Sequence, residues 1–411
     1  GSINMNEKPV STEEKRSPGK LVLPSLFVSS FAAQIPAILI GLLLVDVGLT
    51  FGYPVGVTGQ IRTVAMVLGV IVALLMGILS VRFKHKSLLM MGLLFAVISA
   101  LGCGFAPIFG IMLVSYSISG LGSAMSSPMT YTLVGEHFPR EKRPSVIGRI
   151  AASAAISYAV GAPLIGFVAG FGGWRLAFLG YALPVSLLAL LLAAKGLPSV
   201  SSSHQSGMSM RDYLGGLKGV FSSRSADACL AGTALSGAAW MAILVYGASF
   251  FRQQYLMATG LVSIIVVGAA LCYTSGSLVA GRLVRRLGRK LLTVFAVLFT
   301  GIFAASYTNV PGFWLSVALF LLGCLFSGLR YAASTSLTLE QVPRFRGTMM
   351  SINHASIALG DALGSGIGGL ALLLFGYGGM AICLGSMGIA AAIVLQLLAI
   401  DPTRAEARGH S

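Results

Sequence analysis

Apolar residues run in blocks of about twenty along the whole chain, broken by short polar stretches. Blocks of that length match the hydrocarbon thickness of a bilayer when helical. Twelve spans are expected, near 21–45, 57–81, 88–106, 109–135, 146–171, 175–194, 227–250, 258–281, 291–308, 312–339, 348–375 and 377–399. The fold class predicted is therefore an all-α integral membrane protein. The longest polar interval, 195–225, separates two six-helix halves at 21–194 and 226–400, with polar tails at 1–20 and 401–411. The opening "GSINM" reads as an expression scar before Met5, and the long first apolar segment reads as a span rather than a cleaved leader.

The halves repeat at an offset near 204. "RFKHK" at 82–86 falls on "RLGRK" at 286–290, and "GEHFPREKR" at 135–143 on "LEQVPRFRG" at 339–347. Parallel six-helix repeats joined by a long loop are a transporter architecture, with the substrate site expected at their interface near mid-membrane.

Composition supports the spans: 56% of residues are hydrophobic, only 10% are charged, and mean hydropathy is +0.88. A formal charge of +16 raises the question of nucleic acid, and the placement of the basic residues answers it. Of 28 Lys and Arg, only Arg62, Arg175, Arg252 and Arg330 fall away from one set of connections. That asymmetry is the positive-inside pattern, with both termini cytoplasmic in a cell membrane. No nucleic-acid partner is needed. The five cysteines lack ligand spacing, His204 reads as a solvated linker residue, and no enzyme motif, cofactor site or metal site is expected.

Polar residues inside spans are costly and carry the candidate chemistry. His354 and Asp361 lie seven residues apart on one face of a helix. Arg330 is too deep for easy snorkelling and falls between them in depth, so the three are proton-coupling candidates; a static pair fixing helix register is the alternative. Asp46 and Arg62 flank the first connection on the far side, as an outer gate pair or as two interfacial anchors. Gln34, Ser127, Tyr131, Tyr158, Trp240, Tyr246, Tyr273 and Asn353 are candidates to line an amphipathic cavity, against ordinary packing or interhelical hydrogen bonds.

Several stretches resemble the major facilitator superfamily, over nearly the whole chain. The family's loop G-x-x-x-D-R-x-G-R-[RK] is met at Gly77, Arg82 and Lys86, with Val81 in place of the aspartate and Lys84 in place of the second glycine. A second copy has Gly281, Arg286, Gly288 and Arg289, with Arg285 at the aspartate position. Without the acidic member the loop's usual charge relay cannot operate, leaving Glu136 and Glu340 as inner-face partners. Gly161, Pro163 and Gly166 resemble the antiporter signature, while Tyr116 stands where the family's helix 4 arginine would be. The resemblance implies a monomeric secondary transporter in the lipid bilayer, working by alternating access. It implies a small-molecule substrate and a proton as partners, in the manner of the drug:proton antiporter branch. Uptake or exchange of an organic anion is an alternative that Arg62 and Arg330 favour. A lipid translocator or a non-transporting receptor is a third.

Overall fold

A computed structural model describes residues 19–139, 142–198, 215, 218–342 and 346–401. His204, most of the 195–225 linker and nearly all of both tails lie outside the described residues. The described chain is helical throughout, with no strand among the described residues. In the first half run α1 (Val22–Phe51), the short α2 (Val55–Thr58), α3 (Gln60–Arg82), α4 (His85–Gly104), α5 (Phe109–His137), α6 (Arg143–Ala177) and α7 (Leu183–Gly196). The second half contains α8 (Arg224–Leu244), α9 (Gly247–Gln254), α10 (Thr259–Leu287), α11 (Arg289–Ser306), α12 (Phe313–Leu339) and α13 (Arg346–Leu398).

Ten helical stretches among the described residues are long and apolar enough to cross a membrane. Two of them, Ser145–Gly196 and Thr348–Leu398, have 52 and 51 residues, twice the length of one crossing. Each is a hairpin. A Cβ on Gly368 would lie 2.8 Å from Leu384, although a straight helix would hold these positions about 24 Å apart. The reversal is at Gly376, whose φ of 67° belongs to the left-handed region that side chains disfavour. Gly172 and Gly173 (φ 71°) turn α6 in the same way, bringing Gly180 back beside Val168. The turn of π-helix at Phe178–Ala182 then precedes Pro184, which has no N–H to give residue 180; Leu183 N–H reaches Phe178 instead.

These reversals put Val22, Gly196, Arg224 and Leu398 at one end of the bundle, here the terminal face. Phe51, Gly173 and Gly376 mark the opposite face. Large apolar side chains such as Phe167, Leu278 and Leu374 are exposed on the outside, where lipid would cover them.

Packing divides unevenly between the two faces. A single large apolar cluster crosses between the halves, joining Ile38, Leu42 and Trp174 to Tyr246, Phe251 and Leu384. The remaining clusters each stay within one half: Leu26, Leu89 and Met129 in the first, Val297, Leu337 and Leu395 in the second. The halves are sealed toward the opposite face, where α3 packs along α13 and α6 along α10. At Gly56 and Gly369 the backbones approach so closely that a Cβ on Gly56 would sit 2.4 Å from the Gly369 carbonyl oxygen.

Candidate functional site

Arg62 enters the interface because α3 starts only two residues before it, directly after the turn of α2. Its residue is 5% exposed, and its Nη2 donates to Asp361 Oδ2 on α13 at 3.4 Å. Polar bonds flank this ion pair along the same seam. Gln60 Nε2 donates to the Gly366 carbonyl (3.1 Å) and Thr63 Oγ1 to Ser365 Oγ (3.2 Å). Tyr246 Oη donates to the Ser365 carbonyl. Arg62 also lies against the phenols of Tyr116 and Tyr158. Tyr116 donates to the Pro36 carbonyl (2.9 Å). The first half thus presents its buried cation from α3, beside the tyrosine that replaces the family's helix 4 arginine.

Arg330 on α12 is buried as deeply, and its Nη1 donates to Ser236 Oγ on α8 at 2.9 Å. Asp361 and Tyr273 are its electrostatic neighbours, but the ion pair of Asp361 is with Arg62. The depth ordering of Arg330, His354 and Asp361 pointed to Arg330 as the cation acting on the carboxylate, and this is corrected: Arg62 holds it. The reason lies in the packing: α13 lies along α8 and α3, whereas α12 lies along α10 and α11. The consecutive helices α12 and α13 are therefore not close neighbours. His354 is exposed, two turns nearer the terminal face than Asp361.

The expected Asp46–Arg62 gate pair does not form. Asp46 is held by Arg252 at the end of α9, through Nη2 to Oδ1 at 2.8 Å and a second bond from Nη1 to Oδ2. Arg252 joins the two halves at the opposite face. Asp46 faces α9 while Arg62 faces α13, so neighbouring positions in the sequence point to different partners. Beside Asp46 and Arg252 lies a groove of about 540 Å³ lined by Gly166, Trp174 and Gly260.

The cavity candidates separate. Trp240 and Tyr273 form a tilted aromatic pair, 5.3 Å between ring centroids, and Tyr158 lies beside Arg62 and Asp361. Tyr131 is exposed on the terminal-face side and is an electrostatic neighbour of Tyr331 across the halves. Gln34 and Ser127 are half-buried. Two candidates are corrected. Tyr246 is fully buried and seals the halves against Gly59 and Gly368. Asn353 is buried and accepts from Thr233 within the second half (3.3 Å). In the antiporter-like stretch, a Cβ on Gly166 would lie 3.3 Å from Ser263 of the other half. Gly161 faces Tyr181, and Pro163 is half-buried.

At the terminal face, Arg82 is exposed and makes no ion pair among the described residues. His85 Nδ1 pairs with Glu136; Lys86 Nζ donates to the carbonyls of Ala194 (2.8 Å) and Leu197, capping α7. In the second half Arg289 reaches Ser336 (3.0 Å) and Glu340 (3.8 Å), after Gly288 turns the chain with φ 86°. Gly281 and Arg286 are exposed. His85–Glu136 and Arg289–Glu340 occupy positions related by the repeat offset, so Glu136 and Glu340 each hold a basic side chain at the terminal face.

Sequence reasoning missed Arg252, Ser236, Ser365 and Tyr331. Tyr331 was within reach, because the repeat offset places it on the candidate Ser127. The pairing of Arg252 was also accessible by elimination, since few charges lie on the opposite face.

Two packed helical halves, sealed at one face and joined by a buried ion pair, define a membrane transporter fold. The Major Facilitator Superfamily model matches residues 23–258 and 229–410, and the chain belongs to this family. It is 24% identical over 301 residues to the uncharacterised MFS-type transporter YceJ of Bacillus subtilis, covering 72% of this chain and 75% of that one. A multidrug resistance protein B homolog of Mycobacterium tuberculosis is 33% identical over 117 residues, covering 28% of this chain but 21% of that relative. Among solved structures, the nucleoside transporter NupG superposes with a TM-score of 0.77 at 13% identity, over 92% of this chain and 99% of that one. A D-xylose-proton symporter gives 0.76 at 17%, over 93% and 98%. These likenesses concern the fold. The chain is a transporter-family protein and not an enzyme.

Proposed function

We propose that the protein is a proton-coupled secondary transporter that exports a small amphipathic compound across the cell membrane by alternating access. It would cross the bilayer twelve times, with the basic terminal face in the cytoplasm. One observation carries the reading: the Arg62–Asp361 ion pair is buried and joins the two halves that must part. Protonating Asp361 removes the ion–ion attraction and leaves a guanidinium bond to a neutral acceptor, so proton binding loosens the seam that closes the opposite face. The partial likeness to a multidrug resistance protein B homolog supports a drug-like substrate.

Alternating access follows from the same geometry. With the opposite face sealed, solute enters from the terminal face, past Tyr131 and His354. Once the halves have rocked and parted the pair, Asp361 would be free to take a proton from outside, and release of that proton to the terminal face would re-form the pair in the present state. His354 would carry the proton to the terminal face, since an imidazole exchanges protons near neutral pH.

The test is a proteoliposome assay with a lumenal pH dye and a panel of cationic, anionic and neutral lipophiles. Under this reading an imposed pH gradient drives accumulation of one class. The Asp361→Asn variant loses that accumulation but still exchanges solute. A folded Asp361→Asn protein that concentrates solute as the parent does would remove Asp361 from the coupling.

A further inference from the structure

We propose that the central cluster is an anion site, and that the transported compound carries a carboxylate-like group bound between Arg330 and Arg62. This deepens the transport reading above and rests on it.

The argument begins with charge. Arg62 and Arg330 are each 5% exposed, and Asp361 is the carboxylate beside both. The other described acidic side chains sit at the ends of the bundle: Asp46 with Arg252, Glu136 with His85, Glu340 with Arg289, and Asp227 and Asp401 near the terminal face. The buried cluster therefore carries two cations against one anion. A buried charge without a counter-charge is costly to maintain, and a bound anion corrects the imbalance.

Hydrogen bonding points the same way. A guanidinium has five N–H donors and no acceptor. Arg330 spends one donor on Ser236 Oγ, a neutral partner, and its buried Nε has none. The Nε of Arg62 is likewise buried without a partner, and its bond to Asp361, at 3.4 Å, is longer than charge-assisted bonds usually are. Unpartnered donors on two arginines suit a planar oxyanion, which accepts from guanidinium in a forked geometry.

The walls set the rest of the molecule. Tyr158, Tyr273 and Trp240 are large aromatic surfaces around the cluster, matching an apolar or aromatic body behind the anionic head. An organic cation would face two guanidiniums there against one carboxylate. As the anion takes up Arg62, it competes with Asp361. Substrate and proton then act on the same ion pair at different steps: the anion draws Arg62 from Asp361 in one, and the proton neutralises Asp361 in the other.

The purified full chain tests this by thermal unfolding in detergent. The probes are aryl carboxylates from benzoate to 4-phenylbutyrate, each beside its primary amide and the corresponding amine. Saturable stabilisation by carboxylates alone is expected, weakened at least tenfold in Arg330→Gln. Should Arg330→Gln not fold, Arg330→Lys provides the reading, with an expected loss of a few fold because the ammonium lacks the fork. Equal stabilisation by amides or amines overturns the proposal. So does stabilisation by no probe, or undiminished carboxylate binding in the folded Arg330 variant. Flux in proteoliposomes separates the two readings. Arg330-dependent carboxylate binding without transport leaves the anion site and removes the transporter reading. Transport of a solute that binds independently of Arg330 does the reverse.

Discussion

Replacing Asp361 by Asn keeps the shape of the side chain and removes its charge, which makes it the sharpest probe of the seam between the halves. The Arg62 Nη2 to Asp361 Oδ2 separation is 3.4 Å. At that distance the Coulomb attraction is about 1 kcal/mol in bulk water and about 5 kcal/mol at an effective dielectric near 20. Desolvation opposes much of the larger figure, and the Asn carbonyl still accepts from the Arg62 guanidinium. A net loss of roughly 2 kcal/mol follows, which shifts the equilibrium toward opening at the opposite face by about thirtyfold. Spin labels at Tyr53→Cys and Trp314→Cys would read it. Both sites are exposed, 45% and 81%, and lie on different halves near that face. The background must lack the five native cysteines. The Asp361→Asn distance distribution should gain a longer population. Arg62→Gln should give the same change, and the double variant little more, because both substitutions remove one interaction. Superimposable distributions in parent and Asp361→Asn would refute the idea that this pair holds the face closed.

Neutralising either member of Asp46–Arg252 should favour opening more weakly, by about fivefold, since the pair is partly exposed and worth about 1 kcal/mol; the charge-swapped double variant should restore closure in the same distance measurement. Arg82→Ala should retain most transport in the flux assay at normal membrane expression, because the exposed side chain has no ion-pair partner among the described residues. Gly56→Val should also disturb the seam, as its Cβ would meet the Gly369 carbonyl at 2.4 Å, and labelled protein should populate the open opposite face. By contrast, Gly328→Val drives a Cβ to 1.9 Å from the Tyr273 carbonyl inside one half, so it should lower thermal stability instead.

The helical architecture was legible because membrane spans declare themselves through length and hydropathy, and the repeat through matching loops. Which residues meet was far less legible. Asp46 and Arg62 are near in sequence, yet their side chains leave α1 and α3 in directions set by helix rotation. Hydropathy reports depth along a span but carries almost no information on rotation when the span is apolar all round. The depth estimates therefore pointed to Arg330 as the partner of Asp361, whereas the bonded cation is Arg62, because α13 packs along α3. Tyr246 shows a related limit. An aromatic inside a span looks the same in sequence whether it walls a cavity or plugs a seam; the glycines at 59 and 368 that receive its ring distinguish the two only after folding.

The charge pairs also differ in what they constrain. His85–Glu136 links α4 to α5, and Arg289–Glu340 links α11 to α12, so each stays inside one half. Rocking one half against the other leaves such pairs intact, and they act by keeping each half rigid at the terminal face. Arg62–Asp361 and Asp46–Arg252 cross between halves, as do the Tyr246, Gln60 and Thr63 contacts beside them. Opening the opposite face must break that second set. The cost of opening is therefore concentrated where the buried arginines are. Under the proposals above, an anion that satisfies Arg62 or a proton that neutralises Asp361 would act on the one charged contact among the described residues that is both deeply buried and shared, and so a small ligand would gain leverage over two whole halves.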